Sequence, residues 1–246
     1  MAQIDNLIAA CDHKNVAGIG IGIPSRVDFK TAAVFPGGYV DLSGPPLAGR
    51  LSRTGNRPVF TDNDGTMALV AEARVGAAKG YSDAVILTIG TGIGGAMMLG
   101  GKIVHGKASA GQLGHITVAY DGLECACGRL GCLETLSSGT ALGRQIADAG
   151  LPVTTTAEEL LLRTDAQARG VIERWIRPLR SGIDSLAATL DPEVVVLGGG
   201  LGKAAHKALA SFPPQSDWFQ YRVEPAICGS EAGVIGAALA ALERQS

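Results

Sequence analysis

Residues 125–132 read Cys-Ala-Cys-Gly-Arg-Leu-Gly-Cys, which places three of the five cysteines of this 246-residue chain within a single turn-rich stretch. The spacing Cys125-x-Cys127-x4-Cys132 puts soft ligands around tight turns, and Gly128 and Gly131 let the backbone fold back between them. Thiolates with imidazole in a tetrahedral array are what zinc prefers, and a closed four-ligand site of that kind is structural. The nearest upstream histidine is His115, at the end of Gly-Gln-Leu-Gly-His, and it is the candidate fourth ligand. Three buried thiols without a metal are the alternative reading of the same residues. A catalytic zinc would need an open coordination position and a poised base, and the stretch offers neither.

Composition sets the class. The chain is 46% hydrophobic with a net charge of −2 and has no basic block, so nothing in it favours nucleic acid or an anionic membrane surface as a partner. Thirty-five glycines against 4% aromatics suit an α/β fold with tight glycine turns. The N-terminal residues MAQIDNLIAACDHK lack the basic-then-apolar pattern of a signal peptide. An odd cysteine count without that pattern leads us to expect reduced thiols and a cytoplasmic setting.

Strand and helix signals alternate along the chain. Buried strands are expected at Val16–Ile23, Val59–Thr61, Ala84–Ile89 and Val194–Leu197, the last two as continuous apolar runs suited to a sheet covered on both faces. A hairpin is expected from Ala96–Leu99 and Lys102–Val104 around Gly100-Gly101, and His115–Val118 reads as extended. Helices are expected at 66–78, 140–149, 157–163, 166–189 and 232–243. Phe35–Pro46 reads as loop, and one soft boundary falls near Lys79–Ser82. The pattern predicts an α/β fold in two lobes, divided as 1–80 with a returning segment 231–246, and 81–230.

Two glycine loops follow strands. Ile89-Gly90-Thr91-Gly92-Ile93-Gly94-Gly95 reads either as a phosphate-cradling turn or as a plain sharp hairpin. Gly198-Gly199-Gly200 leads from a strand into a helix, a geometry suited to an anion or nucleotide at a helix N-terminus. A third strand end carries Thr61-Asp62-Asn63-Asp64-Gly65-Thr66. There Asp64 reads either as a general base or as a cap of the following helix. A strand running into Asp62-x-Asp64-Gly-Thr also resembles the nucleophile motif of haloacid-dehalogenase-type phosphatases, but Asp191-Pro192 does not supply the later acidic pair which that chemistry needs.

Taken in order, GIGIGIP, the strand into Asn63-Asp64, TIGTGIGG, AGQLGH, CACGRLGCLE, DPEVVVLGGGL and SEAGVIGAA resemble the ROK family (repressor, open reading frame, kinase) from about Val16 to the last helix. The resemblance implies a two-lobed, actin-like ATPase fold with a ribonuclease-H-like core in each lobe. It implies transfer of the γ-phosphate of Mg-ATP to a hexose 6-hydroxyl. Asp64 then matches the general base, and Asn63, Glu134, His115 and the position of Gln112 match groups that meet the sugar. Gly90, Thr91 and Gly92 match a phosphate loop, and Gly198, Gly199 and Gly200 match the loop near the adenosine. His115, Cys125, Cys127 and Cys132 match the ligands of a structural zinc.

Three departures accompany the resemblance. The family's leading strand with D-x-G-G-T finds no counterpart in the residues before Val16, so the first lobe is expected to be truncated and the chain to form a homodimer that covers the exposed sheet edge. Gln112 stands where the family has a carboxylate, which weakens charge-assisted bonds to sugar hydroxyls. Ser25 and Arg26 follow Pro24 where glycine is usual, adding bulk and charge near the sugar. The missing phosphate loop also leaves open a catalytically silent sugar-binding protein, or a glycosidase or phosphatase using the same carboxylates. His13, His105 and His206 are expected to be surface or packing histidines. Trp175 and Trp218 are expected in the core or an interface, and Arg177, Arg180 and Lys203 on a solvated helix face.

Overall fold

The computed structural model describes Asn6, residues 16–35 and residues 58–243. Cys11, His13 and most of the loop that begins at Phe35 lie outside the described residues. The fold turns on a five-stranded mixed sheet of order β7-β6-β5-β8-β9. Its strands are β5 (Ala84–Ile89), β6 (Ile93–Leu99), β7 (Lys102–Ile103), β8 (Val194–Gly198) and β9 (Arg222–Pro225). β5, β8 and β9 run parallel, while β6 and β7 fold back antiparallel on the other side of β5. Gly100 and Gly101 both have positive φ and make the two-residue turn between β6 and β7.

The continuous apolar runs of β5 and β8 follow from burial on both faces. Val85, Leu87, Ile89, Val195 and Leu197 face a core built by α3 (Gly139–Asp148), α4 (Ala157–Leu162), α5 (Ala166–Leu190) and α6 (Gly202–Leu209). Ile86, Val194 and Val196 face the other way, onto Leu69 and Ala71 of α1 (Asp64–Val75) and Ala232 of α7 (Ala232–Glu243). Trp175 is fully buried in the first of these cores, and its Nε1 donates to Ser137 O at 2.8 Å. α5 begins on Asp165, whose side chain accepts from Ala168 N, and ends on Asp191 in the left-handed region just before Pro192.

α1 and α7 separate this sheet from a parallel pair, β1 (Ile19–Ile23) and β4 (Val59–Asn63), beside a short hairpin of β2 (Val27–Asp28) and β3 (Ala33–Val34). The composition of α7, Ala-Gly-Val-Ile-Gly-Ala-Ala-Leu-Ala-Ala-Leu-Glu, reflects how closely its backbone approaches its neighbours. A Cβ on Gly236 would fall 1.7 Å from Met67 O of α1. The two helices are also tied at their ends, where Arg74 Nη2 donates to Glu243 Oε2 at 3.0 Å. At the C-terminal end of α1 the fully buried Glu72 carboxylate accepts from the backbone N–H groups of Ala77, Ile227 and Cys228 at 2.6, 3.2 and 2.8 Å. A buried charge is tolerated when its lone pairs are satisfied in this way.

Several elements differ from the sequence reading. The first strand starts at Ile19, not Val16, and β6 begins at Ile93, so the turn between β5 and β6 is only Gly90–Gly92. Residues Leu113–His115 form a 3₁₀ turn, and extended backbone starts at Ile116. β9 and the β2–β3 hairpin carry too few residues for a period-2 signal. Trp218 is 85% exposed and belongs to no core. Arg180 is 6% exposed, because its Nε donates to Phe212 O and its Nη1 to Tyr221 Oη. Arg177 does lie on an exposed face, paired with Glu173 and lying over the Phe212 ring. His206 is a packing histidine whose Nε2 donates to Val223 O.

Gly236→Ala is expected to destabilise the chain by about 1–3 kcal/mol through forced separation of α7 from α1. The measurement is thermal unfolding, where Gly233→Ala, with open space around its Cα, serves as the control.

Candidate functional site

The end of β4 carries the first element of the site. Asn63, not Asp64, caps α1: its Oδ1 accepts from Gly65 N at 2.9 Å and Thr66 N at 3.3 Å, and its Nδ2 donates to Ser25 O at 3.0 Å. The cap therefore also fastens the turn after β1. Because Asn63 does the capping, Asp64 becomes the first helical residue, with one oxygen accepting from Gly65 N at 2.9 Å. Solvent reaches Asp64. Protein around it nevertheless desolvates the carboxylate, and this raises its pKa above the ordinary 3.8 against the pull of the Gly65 N–H. Ser25 is buried, with its hydroxyl donating to Phe35 O, while the Arg26 guanidinium lies 5.5 Å from the Phe35 ring centroid.

The start of β6 is where the other elements meet this one. A Cβ on Gly65 would fall 3.0 Å from Gly95 O, so the first turn of α1 lies directly on the β6 backbone. From another side, a Cβ on Gly114 would fall 2.1 Å from Ile93 O, which seats the Leu113–His115 turn against the same strand. The Glu134 carboxylate, first residue of α2 (Glu134–Ser137), accepts from Ile93 N at 2.7 Å. Thus Asp64, the Gln112–His115 turn and Glu134 all converge on residues 93–95. The half-buried Gln112 precedes the turn, and its side chain has no hydrogen bond among the described residues.

The two glycine loops lie beside this junction. β5 and β8 are central strands paired in parallel through Thr88↔Gly198, so both loops emerge side by side from their carboxyl ends. Gly90 O accepts from Gly139 N at 2.7 Å, and Thr91 O accepts from the Thr140 hydroxyl at 2.8 Å, which sets the N-terminus of α3 against the first loop. Gly199 has φ +77°, and after it Leu201 N donates to Ile89 O at 3.0 Å, closing the second loop onto the end of β5.

The cysteine stretch folds into a knuckle. Cys125 N donates to Arg129 O and Gly128 N to Cys125 O, both at 2.8 Å, and isolated bridges pair Thr117 with Cys132 and Glu124 with Leu130. His115 Nδ1 lies 3.5 Å from Cys125 Sγ, Cys127 Sγ lies 3.6 Å from Cys132 Sγ, and all four donor atoms fall within 4.8 Å of one another. A tetrahedral zinc with ordinary Zn–S and Zn–N lengths holds its ligand atoms about 3.5–3.8 Å apart. The donor set therefore fits such an ion in both chemistry and spacing. Burial, with the neighbouring thiols, pushes Cys132 up to about 12, and burial also raises Cys125, so a bound cation must displace protons here. Cys132 leads straight into Leu133 and Glu134, and His115 ends the 3₁₀ turn, so the knuckle joins the two segments that meet at Ile93.

A profile of the ROK family matches residues 1–244. The chain belongs to the ROK family. It is 32% identical to a glucokinase of Halalkalibacterium halodurans over 91% of this chain and 76% of that one. It is 31% identical to an N-acetylmannosamine kinase of Yersinia pestis, covering 97% of this chain and 83% of the relative. In three dimensions it is similar to a ROK hexokinase from Thermus thermophilus, with a TM-score of 0.82 and 31% identity over 100% of this chain and 87% of that one. A ROK glucokinase from Streptomyces griseus solved with glucose and AMPPNP gives a TM-score of 0.79 at 29% identity, covering 100% and 88%. This ROK chain is thus a homologue of sugar kinases and has their actin-like ATPase fold, while the phosphatase and glycosidase readings find no support among its relatives. Among the described residues no helix is long and apolar enough to cross a membrane.

One part of the site escaped the sequence reading. Of the two readings given for His105, surface or packing, the structure has the second, but with a polar partner that the sequence did not show. Its Nε2 lies 2.7 Å from Oδ2 of the buried Asp62, and its ring stacks on Phe29 with centroids 3.9 Å apart. A lone histidine between Val104 and Gly106 carries no local signal of this.

Asn63→Ala is expected to lower stability by about 0.5–2 kcal/mol through loss of the cap. Asn63→Asp, which keeps the capping acceptor but loses the Nδ2 bonds to Ser25 O and Ile23 O, should recover part of that in urea denaturation.

Proposed function

We propose that this ROK chain is a sugar kinase that transfers the γ-phosphoryl group of Mg-ATP to the 6-hydroxyl of a hexose or N-acetylhexosamine. The observation that carries the reading is the convergence of Asp64, the Gln112–His115 turn and Glu134 on residues 93–95, beside two glycine loops at the carboxyl ends of β5 and β8. Named relatives that are glucokinases and N-acetylmannosamine kinases support it. In this reading the lobes 1–80 with 231–246, and 81–230, enclose the substrates between them.

Asp64 takes the proton of the attacking hydroxyl as that oxygen forms its bond to the γ-phosphorus. The bond to the β–γ bridging oxygen breaks, and ADP leaves with the electron pair. Phosphoryl transfer asks the protein mainly for positioning and charge stabilisation. Gln112 offers a free amide and Glu134 a carboxylate oxygen to the sugar hydroxyls, while Asn63, engaged in the cap, has only its remaining Nδ2 hydrogen, loosely held by Ile23 O, to offer. Gly90, Thr91 and Gly92 lie on the phosphate side, with Gly198, Gly199 and Gly200 toward the adenosine. Glu134 divides its role: one oxygen holds Ile93 N and the other remains for substrate.

We assign the knuckle to a structural zinc held by His115, Cys125, Cys127 and Cys132. When bound it supplies no chemistry at the phosphate and locks the turn that delivers His115 together with the helix that delivers Glu134. Elemental analysis is expected to find about one zinc per chain. Its removal by a chelator should lower the Tm and raise the KM for sugar more than the KM for ATP.

Coupled ADP release across a panel of hexoses and N-acetylhexosamines tests the kinase reading. Sugar-dependent turnover is expected, and Asp64→Asn should reduce kcat by about 10²–10⁴-fold while sugar still binds. Turnover left intact by that substitution refutes Asp64 as the base. The pH profile gives a separate check. A protonated Asp64 cannot accept the hydroxyl proton, and desolvation raises its pKa, so activity should fall on acidification with a midpoint above the ordinary 3.8.

A further inference from the structure

We infer that His105 is a positioning residue for phosphoryl transfer, acting through Asp62 to hold the Asn63–Asp64 corner in register with the sugar-orienting turn. The inference rests on the proposed role of Asp64 as base.

Asp62 is 3% exposed, a buried carboxylate at the end of β4. Such a group is costly unless both oxygens are satisfied. Its Oδ1 accepts the Asn63 backbone N–H at 2.7 Å, and its Oδ2 lies 2.7 Å from His105 Nε2. Asn63 in turn caps α1 through Gly65 and Thr66 and donates to Ser25 O. A connected series of polar bonds therefore runs from His105 to the residue on which Asp64 is mounted. No neighbouring residue stands in for His105, because Asp62 has no other side-chain partner among the described residues.

The origin of His105 gives this series its use. Asp62 belongs to the β1–β4 pair, whereas His105 follows β7 of the five-stranded sheet, in the same connection that carries Gln112 and His115. On its other side the imidazole stacks on Phe29, which follows β2, at an interplanar angle of 19°. His105 thus joins a loop of the five-stranded sheet to a strand end of the β1–β4 pair and to the separate β2–β3 hairpin. Those two sides must keep a fixed relation if a sugar oriented by the turn is to present its hydroxyl to Asp64. Backbone contact of Gly65 with Gly95 fixes one point of that relation, on the β6 side. A recess of about 290 Å³ adjoins the pair, lined in part by Phe60, Thr66 and Val70. On the side of that recess the polar bond and the ring stack of His105 supply a second point of attachment.

The expected effect is on the chemical step more than on binding, since a misplacement near 1 Å in a reacting pair costs about 10²-fold in rate. His105→Ala is expected to lower kcat about 10–100-fold, with KM for sugar and for Mg-ATP within about twofold. His105→Gln, which returns a donor to Asp62 at similar reach, should restore most of the loss, and Asp62→Asn combined with His105→Ala should be no slower than the slower single variant. Phe29→Leu, which leaves the polar pair intact and removes the ring that stacks on His105 and lies under Lys30 Nζ, should slow kcat a few-fold and serves if His105→Ala does not fold. A kcat unchanged in His105→Ala, a loss carried by KM, or failure of glutamine to restore the rate overturns the inference. Asp64→Asn is measured alongside: if it retains turnover, or if the unaltered chain phosphorylates no sugar, the base reading fails and this inference with it. If Asp64→Asn is inactive and the His105 variants are normal, only the inference fails.

Discussion

Everything at the candidate site depends on how closely backbone can lie against backbone at the start of β6. The first turn of α1 touches Gly95 through Gly65, and the Leu113–His115 turn touches Ile93 O through Gly114. A methyl group on Gly114 would force its turn off β6, and one on Gly65 would crowd the first turn of α1 against the same strand. Glu134 completes the junction by accepting from Ile93 N, so that strand is fixed from three sides. The scarcity of side chains around residues 93–95 is what allows carboxylates from distant parts of the chain to share one neighbourhood.

The knuckle addresses a related problem by other means. The segments bearing His115 and Glu134 are short, and α2 has only four residues, too few to hold their own geometry. The clustered thiols and imidazole bring the ends of those segments together, and the zinc proposed for them would replace a core that such short pieces cannot build. Leu133, fully buried between Cys132 and Glu134, adds the hydrophobic anchor. Residues 112–134 are thus held from two directions, by the knuckle on one hand and by glycine contacts on the other.

Much of this was legible in the sequence, for definite reasons. β5 and β8 announce themselves because a strand covered on both faces must be apolar at every position, and α5 because a long helix displays its period many times. The cysteine stretch is legible because metal ligation restricts residue type and spacing together. The elements that escaped have no such redundancy. β9 has four residues at a sheet edge, and β2 and β3 have two each. Which of Asn63 and Asp64 caps α1 depends on a bond to Ser25, across the parallel strand pair, which local spacing does not encode. Arg180 and His105 read as ordinary polar residues because their partners, Phe212 and Tyr221 for one and Asp62 and Phe29 for the other, lie far along the chain.

The return of α7 to β1 and α1 also orders events during synthesis. Arg74 and Glu243 are separated by 169 positions along the chain. At a translation rate of roughly 5–20 residues per second, α1 emerges about 10–30 seconds before the helix that covers it. Through that interval the surfaces of Met67 and Gly20 that α7 covers stay open, whereas the five-stranded sheet can assemble as soon as β9 appears. The nascent chain therefore carries an exposed apolar helix while its larger half is already folding, the state in which a chaperone or a neighbouring nascent chain would most readily bind it.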